Sequence, residues 1–345
     1  MMAEKPKKIN IAFNGFGRIG RNLVRKLISD NRYNIVAINA RTTVDVRAHL
    51  FKYDSVYGRY PGDISYELDN LIIDGHTIPN FDRKTPAKLP WDELEVDFVI
   101  ESTGKFTNKH DLEQHIEAGA KNVIVTSPAK DVDATLVFGV NETSYKVQEN
   151  NIISASSCTT TCLTPILKVL MKNFGIKQGT MTTVHSYTMG QALLDSSHPD
   201  LRRARAATMS IIPTTTGAAK NVGLIIPELE GKIDGLAIRV PVPNVSLLDL
   251  SVELEQDTNI EDVIAVFEKE KKMHGILCVS YEPLVSIDFT GDSCSAIVDS
   301  LSSMMVNKRL LKLIAFYDNE YGYCCRVLDL LQYIAKKIPL PTPSK

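Results

Sequence analysis

The sequence predicts an α/β protein of two domains, in which a doubly wound parallel sheet is followed by an α+β domain with a larger sheet. Its 345 residues suit two domains of ordinary size. The first half alternates short β-branched runs with amphipathic helical segments, a pattern typical of parallel strands joined by helices. From about residue 180 the β-branched runs become longer, which indicates the second domain.

The predicted elements follow from hydrophobic periodicity. In the first half they are the strand Ile9–Phe13, the helix Ile19–Ser29 and the strands Ile35–Ile38, Phe98–Glu101 and Asn122–Val125. In the second half, strand-like runs are predicted at Met181–His185, Gly235–Val240, Val245–Glu253, Leu284–Asp288 and Leu311–Tyr317, before a helix at Arg326–Lys337 and a loose Pro-rich tail at 339–343.

Composition excludes several classes of protein. With 44% hydrophobic and 23% charged residues, the chain is neither disordered nor fibrous. Lys and Arg (39) nearly balance Asp and Glu (41), so no nucleic-acid or membrane partner is expected. No signal segment or apolar run of roughly 18–20 residues is apparent, which favours a cytoplasmic location. The six cysteines are expected to be free thiols. No metal is expected, because the sequence has no cluster of His and Cys residues with the spacing of a zinc site.

A glycine motif lies between the first strand and the first helix. Gly15, Gly17 and Gly20 form a G-x-G-x-x-G sequence, whose glycines allow a tight turn, close approach of a pyrophosphate and close helix–strand packing. The helix N-terminus then offers N–H groups to the phosphates. The motif therefore predicts a dinucleotide site of the Rossmann type.

The end of the second strand bears on the choice of dinucleotide. An NAD site usually carries an acidic residue there, whereas this chain has Ala40 followed by Arg41. A carboxylate would repel a 2′-phosphate and Arg41 can pair with one, so the pattern favours NADP, with NAD possible. The alternative is that Arg41 faces solvent and the loop accepts either dinucleotide.

Cys158 is the candidate nucleophile. It lies in a Ser/Thr-rich run that should begin a helix, where the helix dipole favours a thiolate. The base would be His185, at the end of a strand-like run. From the residues alone, a structural cysteine and an interior histidine remain open alternatives.

The chain resembles phosphorylating glyceraldehyde-3-phosphate dehydrogenases over roughly Ile9–Ala335. The matching stretches, in order, are Asn14–Arg21, Lys52–Ser55, Glu101–Gly104, Ser157–Thr160, Thr182–His185, Asp200–Arg205, Ile211–Lys220, Arg239–Pro241 and Asp318–Glu320. The resemblance implies a dinucleotide-binding domain at 1–157, completed by a C-terminal helix at 319–345, and a catalytic domain at 158–318. It also implies a homotetramer.

The resemblance implies a reaction and its residues. Cys158 would attack the aldehyde of glyceraldehyde 3-phosphate with His185 as base, and phosphate would cleave the resulting thioester to give 1,3-bisphosphoglycerate. Thr188 and Arg239 would hold the phosphate of the substrate, and the incoming phosphate would be held by Ser157, Thr159, Arg203, Thr216 and Gly217. The cofactor would contact Arg18, Ile19, Arg83, Thr103, Gly104, Thr126 and Asn319.

Departures from the family pattern are informative. Ser196 and Ser197 follow Asp195 in the loop that crosses to a neighbouring subunit, as in the NADP-using members. Ala155 and Thr161 replace asparagines near the nucleophile, which puts the rate in question. Two alternatives stay open: an erythrose-4-phosphate dehydrogenase, and a catalytically retired NADP-binding paralogue acting as a surface, RNA-binding or redox-sensing protein.

Overall fold

The computed structural model describes residues 8–270, 273 and 275–338, and it divides the chain into two compact units. The first unit runs to Leu136 and includes Glu142–Ser156 and the chain from Val327 onward. The second consists of Val137–Asn141 and Ser157–Arg326. The predicted Pro-rich tail at 339–343 lies outside the described residues.

The first unit is built on one sheet. Its strands are β1 (Ile9–Asn14), β2 (Tyr33–Asn39), β5 (Ile64–Glu67), β6 (Asn70–Ile73), β7 (His76–Phe81), β8 (Phe98–Glu101), β9 (Asn122–Val125), β10 (Ala134–Thr135) and β11 (Ile152–Ser154). They lie in the order β10-β11-β9-β8-β1-β2-β7-β6-β5, parallel from β10 to β7. The helices are α1 (Arg18–Leu27), α2 (Val44–Lys52) and α3 (Lys109–Glu117), and a small hairpin joins β3 (Tyr53–Asp54) to β4 (Gly58–Arg59).

The parallel register brings three polar residues together at the carboxyl ends of the strands. Asn14 of β1 pairs with Asn39 of β2 on one side and with Glu101 of β8 on the other. Ligands bind at this edge of open α/β sheets, where the connections to neighbouring strands diverge. The fold therefore places a binding site where the glycine motif leaves β1.

The glycine motif has the stereochemistry that the sequence predicts. Gly15 has a φ of +105°, and a Cβ there would lie 2.6 Å from the backbone carbon of Ser102. A Cβ on Gly20 would lie 2.5 Å from the carbonyl oxygen of Gly15, so this residue sets the packing of α1 against the loop. A Cβ on Gly17 would meet no heavy atom within 4 Å, which leaves room for a ligand.

The second unit carries a mixed sheet. Its strands are β12 (Ile176–Ser186), β13 (Ile212–Thr214), β14 (Ile233–Val240), β15 (Ser246–Leu254), β16 (Leu277–Ser280), β17 (Ala296–Asp299), β18 (Met304–Met305) and β19 (Leu310–Tyr317). They lie in the order β13-β14-β12-β15-β19-β17-β16, with β18 paired to β19. The helices are α4 (Cys158–Phe174), α5 (Val222–Ile225), α6 (Ile260–Lys269) and α7 (Tyr321–Lys337), the last continuing into the first unit.

Helix α4 anchors the core of the second unit. Its apolar residues Leu163, Ile166 and Leu170 are fully buried in one cluster with Leu248 and Leu250 of β15. Burial of such side chains contributes about 1.5–3 kcal/mol each. The first turn of α4, which begins at Cys158, is therefore held firmly against the sheet.

Three expectations from the sequence are corrected. Leu284–Asp288 is not a strand: a 3-10 helix spans Ser286–Phe289, because the Asp288 carboxylate accepts the N–H of Val285 at 2.9 Å, a local bond that competes with strand pairing. The final helix begins at Tyr321, five residues before the start predicted from periodicity and two residues after the one that the resemblance implies.

The third correction concerns the cysteines. Cys278 and Cys294 form a disulfide, with Cα atoms 6.2 Å apart, so the expectation of free thiols is wrong for this pair. The parallel pairing of β16 with β17 brings the two segments side by side, which their separation of 16 residues did not reveal.

Among the described residues, no helix is long and apolar enough to span a bilayer, and no acidic, histidine or cysteine cluster could hold a metal.

Substitution of Gly15 by alanine should destabilise the first unit. The new Cβ would clash with Ser102 at a positive φ, which should lower the free energy of unfolding by about 2 kcal/mol or more. Urea unfolding followed by the fluorescence of Trp91, the only tryptophan of the chain, measures this. Gly17→Ala is the matched control and should change stability by less than about 0.5 kcal/mol. An equal loss in the free energy of unfolding in the two variants would contradict the steric requirement for glycine at position 15.

Candidate active site

A basic cleft of about 560 Å³ lies at the carboxyl ends of the strands in the first unit. Its walls include the glycine loop through Gly15 and Gly17 and the loop that follows β8 through Thr103. Six cationic side chains line it, and no acidic side chain does so among the described residues; the cations are Arg21, Arg41, Arg47, Arg83, Lys84 and Lys105. The cleft is therefore suited to a ligand that carries several phosphates.

The structure brings together only some of the predicted cofactor residues. Gly15, Gly17, Ala40, Arg41, Arg83 and Thr103 line the cleft. Arg18, Ile19, Gly20, Gly104 and Thr126 are not among its lining residues. The Arg18 guanidinium instead pairs with Asp54 and lies over the ring of Tyr57, so its side chain has a structural role.

Arg41 has an acidic neighbour that the sequence did not reveal. Its Nη1 lies 3.0 Å from Oδ1 of Asp82, and both side chains are about half exposed. Exposed ion pairs of this kind contribute little to stability. Arg41 can therefore exchange this partner for an anionic ligand at low cost.

Arg47 shapes the loop that contains Arg41, and sequence reasoning missed it. Its guanidinium is buried and donates to the carbonyl oxygens of Ala40 (2.6 Å), Thr42 (2.7 Å) and Phe81 (3.0 Å). A single buried cation thus fixes the backbone of this loop. Nothing in the sequence around Arg47 distinguishes it from the exposed charges of an ordinary helix.

In the second unit, Cys158 occupies the first position of α4. The preceding Ser157 caps the helix, its Oγ accepting the N–H of Thr160 at 3.1 Å. Burial raises the pKa of the Cys158 thiol, while the Arg239 guanidinium and hydrogen bonds from Thr159 act in the opposite direction. The thiolate expected from the helix dipole alone is thus opposed by desolvation.

His185 is positioned beside the sulfur by the end of β12. Its Nε2 lies 3.5 Å from Sγ of Cys158, and its Nδ1 lies 2.7 Å from the carbonyl oxygen of Ser186. Burial, followed by the charge of Arg239, lowers the pKa of His185 to about 3. The imidazole is therefore neutral at pH 7, and Nε2 carries no proton when Nδ1 donates to the Ser186 carbonyl oxygen.

Arg239 reaches the same imidazole because of strand register. Parallel pairing of β12 with β14 sets Arg239 directly opposite His185. Its Nη1 lies 2.9 Å from Nδ1 of the imidazole and donates to the carbonyl oxygen of Ser186 at 2.7 Å. A guanidinium beside a Cys–His pair can bind an anionic group of a substrate there.

Tyr317 is a further member of this cluster that the sequence did not identify. Its buried hydroxyl lies 2.9 Å from Oγ1 of Thr159 and 2.8 Å from Oγ1 of Thr183, and its ring packs edge-on against His185. Burial raises the pKa of Tyr317, so the phenol stays neutral. It ties the first turn of α4 to β12 and so fixes the spacing of Cys158 and His185.

Asn319 is buried beside the last residue of β12 and the first residue of β15. Its Oδ1 accepts hydrogen bonds from the hydroxyls of Ser186 at 3.0 Å and Ser246 at 2.9 Å. These two bonds set the orientation of the amide. The Nδ2 side of the group is thereby directed away from the serines.

A second cleft of about 690 Å³ contains the predicted phosphate residues Thr216 and Gly217. Arg202 and Lys220 also line it, together with Thr214, Thr215 and two acidic residues, Asp200 and Asp234. Arg203 stands behind the lining, its Nε donating to Oγ1 of Thr214 at 3.0 Å. The hydroxyls and the two cations offer donors to an anion. The two carboxylates offset part of this charge, and Asp200 accepts the Thr214 hydroxyl at 3.0 Å.

Three predicted residues are exposed on the segment that follows β12. Thr188, Ser196 and Ser197 all face solvent. Arg205, from the same basic run as Arg203, pairs with Asp195 at 3.1 Å on the surface. In this unit the geometry therefore supports nucleophilic attack by Cys158, proton transfer through His185 and anion binding nearby.

Comparisons with known proteins agree on one family. The family sequence model described as "Glyceraldehyde 3-phosphate dehydrogenase, NAD binding domain" matches residues 9–109. The family model for the C-terminal domain matches residues 157–319. Glyceraldehyde-3-phosphate dehydrogenase 2 of Bacillus subtilis (strain 168) is 49% identical over 337 residues, 97% of this chain and 99% of the relative. Glyceraldehyde-3-phosphate dehydrogenase of Geobacillus stearothermophilus is 50% identical over 331 residues, 95% of this chain and 99% of the relative.

The neutral state of His185 predicts how stability depends on pH. Because its pKa is about 3 when folded and 6.5 ordinarily, the unfolded chain binds more protons between these values, and stability falls as pH falls through that window. Urea unfolding at pH 7 and pH 4.5 measures how much the free energy of unfolding falls on acidification. This fall should be about 2 kcal/mol larger for the parent than for His185→Gln. His49→Gln, at an exposed histidine, is the control and should match the parent. An identical acid loss in His185→Gln and the parent would refute the buried neutral imidazole.

Proposed function

The chain belongs to the glyceraldehyde-3-phosphate dehydrogenase family, and we propose that it oxidises D-glyceraldehyde 3-phosphate with inorganic phosphate to 1,3-bisphosphoglycerate. The observation that carries the proposal is the 3.5 Å contact between Cys158 Sγ and His185 Nε2 at the start of α4. The arrangement combines a nucleophile, a neutral base and a cation.

The first step joins Cys158 to the substrate. The sulfur attacks the aldehyde carbon as the thiol proton passes to the carbonyl oxygen, which gives a thiohemiacetal. Arg239 binds the substrate phosphate by exchanging its contacts with His185 and Ser186. His185 accepts the hydroxyl proton as hydride leaves the same carbon, which becomes a thioester. The dinucleotide supplies the hydride acceptor.

The second step releases the product. A phosphate oxygen attacks the thioester carbon, the carbon–sulfur bond breaks, and the Cys158 sulfur leaves as thiolate or takes back a proton from His185. The N-terminus of α4 stabilises negative charge on the oxygen during both steps. Thr216 and Gly217, in the cleft with Arg202 and Lys220, would bind the incoming phosphate.

We propose that NADP is preferred over NAD. Ala40 replaces the acid that binds ribose hydroxyls, six cations line the cleft, and Arg41 has only an exposed partner to give up. The 2′-phosphate would displace Asp82 from Arg41. Arg47 would keep the loop in place while this exchange occurs.

Steady-state oxidation of glyceraldehyde 3-phosphate with phosphate, using NAD and NADP separately, tests both parts. We expect turnover with both dinucleotides and a higher kcat/KM with NADP. A preference for NAD would refute the cofactor proposal alone. Absence of turnover would favour the retired paralogue, and full turnover of erythrose 4-phosphate without phosphate would favour the erythrose-4-phosphate dehydrogenase.

Substitution of Arg41 by alanine should reduce kcat/KM for NADP by about tenfold or more, because one charge-assisted contact to the phosphate is lost. The value for NAD should change by less than about twofold. Asp82→Asn should shift the preference the other way by freeing Arg41. Arg32→Ala, on an exposed arginine paired with Asp30, is the control. Equal losses with both dinucleotides would show that Arg41 does not read the 2′-phosphate.

The exposed segment after β12 supports assembly into a homotetramer. Met189, Leu201, Met209 and Ile211 are 94%, 81%, 80% and 72% exposed, and a segment with several exposed apolar side chains is typical of a protein interface. The same segment carries Ser196 and Ser197, and we expect these two serines to contact the cofactor that is bound to a neighbouring subunit.

Light scattering should give about 153 kDa, four chains of 38.3 kDa. Leu201→Glu should lower the mass, because a charge would be buried in the interface. Leu68→Glu, at an 86% exposed leucine of the first unit, should not. A mass of a single chain for the parent would overturn the tetramer.

A further inference from the structure

A buried chain of hydrogen bonds connects Trp91 to the cofactor cleft through groups that the proposed chemistry does not use. Trp91 Nε1 donates to Nδ1 of His115 at 3.0 Å, and His115 Nε2 lies 3.2 Å from Oε2 of Glu101. Glu101 Oε1 accepts the N–H of Thr103 at 2.7 Å and its hydroxyl at 2.5 Å. Trp91 and His115 are 0% exposed, and Glu101 is 1% exposed.

The hydrogen-bond partners of His115 determine which of its ring nitrogens carries the proton. An indole N–H can only donate, so Nδ1 of His115 must accept and carries no proton. The proton of the neutral imidazole is therefore on Nε2, which donates to Glu101. The 3.4 Å approach of Asn14 Nδ2 to the same nitrogen is not a hydrogen bond, because both groups are donors.

Glu101 is consequently an acceptor on both oxygens. Asn14 Nδ2 donates to Oε2 at 2.5 Å, which with His115 and the two bonds from Thr103 makes four donors. No Lys or Arg is paired with this carboxylate in the described part of the chain. Four donors occupy the acceptor sites of the carboxylate and so offset the cost of burying its charge without a cation beside it.

Two of the donors to Glu101 lie in the cleft wall, whereas Trp91 and His115 lie outside it. Asn14 and Thr103 line the cleft, and Phe106, which also lines it, packs edge-on against the ring of His115. Asn14 Oδ1 further accepts from Asn39 Nδ2 at 2.7 Å. A change at Glu101 would therefore be felt at the ends of β1, β2 and β8 together.

We propose that Glu101 and His115 are positioning residues for the dinucleotide, with Trp91 fixing the tautomer of His115. Glu101 holds the Asn14 amide and the Thr103 turn in the geometry that the cofactor meets. The inference rests on the proposed binding of a dinucleotide in this cleft. A purely structural alternative predicts lower stability with unchanged cofactor affinity in the variants that fold.

The test compares Glu101→Gln with the parent by calorimetric titration of NAD and NADP. An amide offers one acceptor oxygen in place of two, so two donors lose their partner, and the Kd for both dinucleotides should rise about tenfold. Alkylation of Cys158 by iodoacetamide without dinucleotide should be unchanged, which separates positioning from general loss of structure. Glu117→Gln, at an exposed position on α3, is the control and should leave Kd within about twofold.

His115→Phe provides a second variant of similar shape. It removes the donor to Glu101 and the acceptor of Trp91, so the Kd should rise severalfold and the Trp91 emission maximum should shift to shorter wavelength. If Glu101→Gln does not fold, this variant decides the question. Unchanged affinity in the folded variants overturns the inference. A parent chain that binds neither dinucleotide overturns the proposed function, and this inference with it.

Discussion

The parallel register of β12 and β14 is the constraint on which the catalytic cluster depends. It sets Arg239 opposite His185, and the packing of α4 on the same sheet brings Cys158 to the other side of the imidazole. A slip of one residue in this register would turn Arg239 to the opposite face of the sheet. Tyr317 bridges Thr159 and Thr183 and so keeps helix and strand at a fixed distance.

Electrostatics in the cluster are a balance between desolvation and charge. The cation that is suited to hold a substrate phosphate also opposes protonation of His185, and burial acts in the same direction. For Cys158 the two effects oppose each other, since burial favours the thiol and Arg239 the thiolate. Binding of an anion to Arg239 would reduce its effect on both groups, so occupancy of the site and reactivity are coupled.

The sequence predicted much of the fold because its signals are local. The glycine motif, the strands around it and the Ser/Thr-rich start of α4 are read from adjacent residues, and the structure confirms the α/β class. The roles of Arg47, through Asn80 and Phe81, and of Tyr317 and the Cys278–Cys294 bond depend on contacts between segments that are separated in the sequence. The ion pair of Arg41 with Asp82 was not predicted either, because only the pairing of β2 with β7 brings Asp82 near Arg41.

The central claim is that Cys158 carries the acyl group between oxidation and phosphate attack. Mass spectrometry of the chain after incubation with glyceraldehyde 3-phosphate and oxidised NADP, without phosphate, tests it most directly. The account predicts an acyl adduct confined to the peptide containing Cys158, which phosphate discharges within the mixing time. Turnover without any adduct on Cys158, or an adduct that phosphate leaves in place, would contradict it.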